Sequence, residues 1–168
     1  MDGFRRRKGG KAHALVTARG LPLRVLVGPA HQHDLTPFQG LMEGLRLKGK
    51  RGRPRTRPGE VCADGAYDSR EVRLYLRRRG IKAGIPQNPR GRKRPKMGRP
   101  YRFCQVTYQA ARGAVERLFA WLKGGFRRLA LRHERLLATF TAFVYLACFI
   151  ITWRVLNHLE SFEMSSSP

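Results

Sequence analysis

The eighteen residues from Leu136 to Trp153, LLATFTAFVYLACFIITW, carry no charge. A segment of that length has to leave water, either across a bilayer or inside a protein core. Threonines, a tyrosine and alanines interrupt the run, and Arg135 and Arg154 flank it. The rest of the chain reads as alternating strands and helices that need a cover. The segment is therefore expected to be an interior helix, apolar all round and spanning about residues 134–159, rather than a membrane span.

What this helix would cover can be read upstream. Residues 11–18, KAHALVTA, and 21–28, LPLRVLVG, are two strands around an Arg19-Gly20 turn, with Leu21, Leu23, Val25 and Val27 alternating. Asp34 is placed to cap a helix in which Phe38, Leu41, Met42 and Leu45 keep helical spacing. EVCAD, residues 60–64, is a short strand. Ser69 then caps the helix EVRLYLRRR, Gly80 stops it, and IKAGIP forms a further strand. Strand, helix, strand implies a parallel pair joined by a right-handed crossover. A long helix over 105–123 precedes the apolar one. The class is mixed α/β.

Two segments between these elements, 46–58 and 87–102, are basic loops rich in proline and glycine. They belong to a chain of 168 residues with thirty-five Lys and Arg, eleven Asp and Glu, and a formal charge of +24. That length suits one domain with a real core, and 42% hydrophobic residues exclude a disordered tail. So high a charge calls for a polyanion, and nucleic acid is the default. The plainer reading is an arginine-enriched surface produced by genome composition. KRGRPRTR could lie in an A·T-rich minor groove, but sequence-independent phosphate contact explains it more simply. Cys62, Cys104 and Cys148 are widely spaced with no CxxC pair, which points to reduced cytosolic thiols. MDGFRRRKGG lacks the apolar stretch of a signal peptide.

With so few acids, each can be weighed. Asp64 ends an apolar strand where a loop begins, which is where open α/β sheets gather functional groups. By position alone it serves equally well as an Asx-turn that closes the strand. Asp68, four residues on, reads as a local turn former. Glu116 lies in RGAVERLFAWLK. At about 100° per residue, Arg112, Glu116 and Lys123 share one helical stripe, beside an apolar stripe of Ala111, Val115, Leu118 and Leu122. By spacing alone, a surface Arg–Glu pair is the simpler account. His31 and His33 in HQHD could ligate zinc if a third ligand such as His13 arrived, though a hydrogen-bonded loop fits better.

Taken in order, GGKAHALVTARGLPL, GPAHQHD, VCADGAYDS and ARGAVERLFAWLKGGFRRLALRHER resemble insertion-sequence transposases of the IS5/IS4 type. The resemblance covers about residues 5–157, and the last two motifs together are its specific part. It implies a DDE enzyme with an RNase H-like mixed sheet flanked by helices, in which three carboxylates hold two divalent ions, Mg²⁺ or Mn²⁺. The second carboxylate maps to Asp64. The third maps to Glu116, within the family pattern Y-x2-R-x3-E-x6-K. Arg112, Glu116 and Lys123 match that pattern, whereas Gln109 stands at the tyrosine position with Tyr108 one place earlier. Arg112 and Lys123 would then contact phosphates, and Arg51, Arg53, Arg55, Arg92, Lys93 and Arg94 would hold duplex DNA. Asp34 matches a motif read as structural support.

The resemblance departs at the start. The family's first aspartate lies on a strand well upstream of the GxKxH-like segment, and only ten residues precede Lys11 here. Asp2 is the sole acid among them and follows no apolar strand, so it is a poor candidate. The family's N-terminal DNA-binding helices are missing as well. Residues 1–159 are therefore expected to form a partial catalytic domain lacking the first strand, with 160–168 a disordered tail. The expected activity is metal-dependent phosphodiester hydrolysis and strand transfer at insertion-sequence ends. The chain would be a truncated copy or a frameshift partner with reduced or no activity alone. The alternative is a non-catalytic DNA-binding repressor encoded by the element. Expected partners are double-stranded DNA, an upstream reading-frame product and a second copy on DNA, without membrane, in the bacterial cytoplasm at the nucleoid.

Overall fold

The computed structural model describes residues 9–49, 52–88, 98–130 and 136–165, with side chains as far as 158. In chain order the elements are β1 (Gly10–Val16), β2 (Pro22–Pro29), α1 (Thr36–Glu43), β3 (Glu60–Cys62), a 3-10 turn (Gly65–Tyr67), α2 (Arg70–Arg78), β4 (Lys82–Gly84), α3 (Gln105–Gly125), α4 (Arg127–Ala130) and α5 (Leu137–Ser165). They form two compact units, one of Met1–His31 with Ala114–Pro168, the other of Gln32–Gly113.

In the first unit β1 and β2 pair antiparallel, with His13 opposite Leu26 and Ala14 opposite Val25. The hairpin expected from the alternating residues is present. Its turn needs Gly20, because the backbone there has φ 88 and an added Cβ would stand 2.9 Å from the Ala114 carbonyl oxygen. The Thr17 hydroxyl accepts a bond from the Leu21 N–H at 3.1 Å and closes the connection. Val25, Leu118, Leu122, Val144, Ala147, Cys148 and Ile151 make the core, with Ala12, Ala14, Val16 and Val27 packed against it. Leu118 is wholly buried. Leu118→Ala is expected to lower stability by about 2–5 kcal/mol through lost burial and a residual cavity, which chemical denaturation would measure.

The expectation of a fully buried last helix is corrected. Helix α5 buries Val144, Ala147, Cys148 and Ile151, whereas Tyr145, Leu146, Phe149, Trp153 and Leu156 are exposed. These four residues, at helical spacing, pack with Val25 of the hairpin and Leu118 and Leu122 of α3, and among the described residues the opposite face stays exposed. By length and composition, residues 137–158 could cross a membrane. The helix also continues to Ser165, past the expected end near residue 159.

In the second unit β3 and β4 pair parallel, with Val61 opposite Ala83 and Cys62 opposite Gly84, as the crossover predicts. Gly84 is needed for this approach, since a Cβ there would stand 2.6 Å from Cys62 Sγ. Between the strands, α2 starts where the Ser69 hydroxyl accepts the Val72 N–H at 3.1 Å. It stops at Gly80, φ 65, where Gly80 and Ile81 donate back to the Arg77 and Leu76 carbonyls. Val72 and Leu76, one turn apart, are buried, as are Phe38, Leu41, Met42, Leu45, Val61, Ile81 and Ile85.

Two further expectations change. Asp34 does not cap α1: the cap residue is Leu35, without a side-chain bond, and proline occupies the first turn. Proline supplies no N–H for a capping side chain to receive. Within the basic loop 46–58, Leu47 and Arg55 exchange two backbone hydrogen bonds of 2.8 Å. Finally, the strands form an antiparallel pair and a separate parallel pair among the described residues, not one mixed sheet.

Candidate functional site

Strand β3 ends at Cys62, and Asp64 follows as the residue that opens the 3-10 turn. Its Oδ1 accepts the Ala66 N–H at 2.8 Å, so the Asx-turn reading of this aspartate holds. The turn role uses one oxygen only. Asp64 remains exposed at the carboxyl end of a parallel pair, which leaves Oδ2 for a cation.

Tyr67 closes the same turn and packs its ring 5.7 Å from Phe38. Burial, and then the Asp34 and Asp64 carboxylates, push its phenol up to about 12. It therefore stays a neutral hydroxyl near neutral pH. Both carboxylates therefore act on this phenol from close by.

Asp68 closes the turn, its N–H donating to the Gly65 carbonyl at 3.2 Å, but its side chain reaches further. Its Oδ1 pairs with Arg73 Nε at 2.6 Å and its Oδ2 accepts the Asn88 N–H at 2.8 Å. The same arginine donates to the Ile85 carbonyl at 3.0 Å, and its guanidinium lies 3.7 Å from the centre of the Tyr101 ring. Asn88 Nδ2 returns to the Gly65 carbonyl at 3.2 Å. The side chains of Arg73 and Asp68 are only 11% and 12% exposed. Sequence reasoning passed over Arg73 and Asn88. Arg73 is one of several arginines on α2 and Asn88 follows a strand, so their meeting depends on the crossover and leaves no local signal.

Glu116 is exposed on α3, as are Arg112 and Lys123. The buried stripe of this helix is Ala114, Leu118 and Leu122, three residues at successive turns. Ala111 and Val115, expected in that stripe, are only partly buried. Asp64 belongs to the second unit and Glu116 to the first. Of the basic loop residues, Arg53 and Arg55 are exposed, while Arg51, Arg92, Lys93 and Arg94 lie outside the described residues, as does Asp2.

The histidine alternative gains nothing. His33 Nδ1 accepts the Leu35 N–H at 3.3 Å, and His13 is buried in β1. Among the described residues no three His, Cys, Asp or Glu side chains gather where they could hold a metal. All three cysteines are free. Burial pushes the Cys148 thiol up to about 11, which suits an inert core residue.

Residues 1–152 match the family model described as the transposase DDE domain. The chain belongs to the insertion-sequence transposases of the DDE superfamily. It is 36% identical over 157 residues to a protein of Burkholderia cepacia described as a transposase for insertion sequence element IS402, covering 93% of this chain and 68% of that one. It is also 36% identical over 145 residues to a protein of Brucella ovis described as a transposase for insertion sequence element IS6501, covering 86% of this chain and 98% of that one. No solved structure matches.

DDE transposase domains use divalent metals, and the donor chemistry here fits one. Carboxylate oxygens are the ligands that Mg²⁺ and Mn²⁺ prefer. Asp64 offers one, and among the described residues no thiol or imidazole set gathers to draw a softer metal.

Proposed function

We propose that this transposase chain is the C-terminal part of an RNase H-like catalytic domain of the IS5/IS4 type, acting on double-stranded DNA at insertion-sequence ends. The observation that carries the reading is Asp64, an exposed carboxylate just beyond β3 in a parallel β-α-β unit, within a chain whose Arg112, Glu116 and Lys123 are all exposed on one helix. Asp64 and Glu116 are the metal ligands. Bound Mg²⁺ or Mn²⁺ supplies activation of the attacking oxygen and charge stabilisation at the leaving oxygen.

The protein's own groups do the rest. Arg112 and Lys123 hold phosphates of the reacting strand, with Arg giving a two-pronged contact and Lys a point charge. Arg51, Arg53 and Arg55 on one basic loop, and Arg92, Lys93 and Arg94 on the other, neutralise the duplex backbone without reading its sequence. The first aspartate and its strand come from an upstream reading-frame product, and two copies meet on DNA. The chain works in the cytoplasm at the nucleoid.

The test is cleavage of a labelled insertion-sequence end in Mg²⁺ by the 168-residue chain, alone and with the upstream product. The expected result is DNA binding in both mixtures and cleavage only with the upstream product, because two carboxylates do not complete the site. Cleavage by the chain alone would overturn the division of labour. Binding without cleavage in either mixture would favour the DNA-binding repressor.

A further inference from the structure

We propose that Asp68 and Arg73 form a clasp that positions the Asp64 carboxylate; this rests on the reading of Asp64 as a metal ligand. Strands β3 and β4 are three residues long each. So short a ladder fixes the register at its own residues and little beyond them. Yet Asp64 lies past the end of β3, exposed, and its carboxylate is held by one bond to Ala66.

Beside the turn's own backbone bonds and the Tyr67–Phe38 ring contact, its longer-range side-chain ties centre on the clasp. Arg73 on α2 grips Asp68 at the end of the turn and, with its other prong, the Ile85 carbonyl just after β4. Asn88, three residues further along, bonds Asp68 through its backbone and Gly65 through its side chain. Its Cβ also lies close to Gly65, 3.8 Å from where a Cβ would stand there. Residues 65–68 are thus pinned at both ends to the segment leaving β4. That segment leads into the second basic loop, so the clasp joins the metal-ligand turn to the root of a DNA-contacting loop.

The chemistry suits positioning and not ligation. Both Asp68 oxygens are already engaged, and a guanidinium balances the charge. Asp68 therefore adds no free carboxylate to compete with Asp64 for an ion. Arg73 reaches its two acceptors from two separate nitrogens of a rigid fork, a geometry that a single ammonium nitrogen does not reproduce.

The test is iron-mediated protein cleavage. Fe²⁺ replaces Mg²⁺ in the purified 168-residue chain, and ascorbate with peroxide cuts the backbone beside the bound ion. The wild type is expected to be cut near residue 64, and Asp64→Ala to lose that cut. In Asp68→Asn the Fe²⁺ concentration for half-maximal cutting is expected to rise about tenfold, the scale on which groups that orient metal ligands act. Arg73→Lys is expected to move it in the same direction, and Asn88→Ala less. A merely structural clasp would lower the melting temperature and leave the half-maximal concentration in place. If Asp68→Asn does not fold, Arg73→Lys and Asn88→Ala decide. Half-maximal values within twofold of wild type in the folded variants would overturn the clasp and leave the Asp64 reading standing. No cut near residue 64 in the wild type would overturn both.

Discussion

Asp64→Asn is expected to abolish DNA cleavage while leaving DNA binding nearly intact. Asparagine keeps the shape and can still accept the Ala66 N–H through its carbonyl oxygen, so the turn survives. What it loses is the negative charge that draws a hard cation. A metal ion contributes several kcal/mol of charge stabilisation to the reaction, and each 1.36 kcal/mol is tenfold in rate, so the loss is on the order of a thousandfold or more. Glu116→Gln should behave in the same way, because it removes charge from an exposed helix position without touching the buried stripe of α3. The measurement is end cleavage in the presence of the upstream product, with a gel shift on the same samples. Equal cleavage by variant and wild type would remove Asp64 from the chemistry. A parallel loss of binding would make its role structural.

The second large effect is on binding. Raising monovalent salt from about 50 to about 200 mM should weaken duplex binding by about 10³ to 10⁵ if six to ten phosphates are contacted. The chain carries a formal charge of +24, and its exposed arginines include Arg53 and Arg55. Removing one phosphate contact, as in Arg53→Ala, should lower the slope of log K against log salt by about one. The loss should be nearly the same on specific and unrelated sequences. Fluorescence anisotropy over a salt series would measure both quantities. A slope near zero would mean that the charge is not what holds DNA.

The local elements were largely legible. The hairpin, the Ser69 cap, the Gly80 stop and the parallel strands follow from features a few residues apart, and the structure contains each of them. Failures came where neighbouring groups compete. Asp34 looked like a cap, but the cap position falls on Leu35 and the Thr36 N–H donates to the His33 carbonyl. The apolar helix looked buried throughout, but among the described residues the core takes only Val144, Ala147, Cys148 and Ile151 from it.

For the site, the sequence by itself determined the family, singled out Asp64 and Glu116 as candidates, and through its charge pointed to a polyanionic partner. Ordered motifs and net charge are carried by residue identity, which needs no coordinates. Only the tertiary structure decided that Asp64 ties one oxygen into its own turn while the residue stays exposed. Only the structure joined Asp68 to Arg73 and Asn88. The reason is physical: such bonds form only after the crossover brings α2 and the end of β4 against the turn, and no local pattern encodes that meeting.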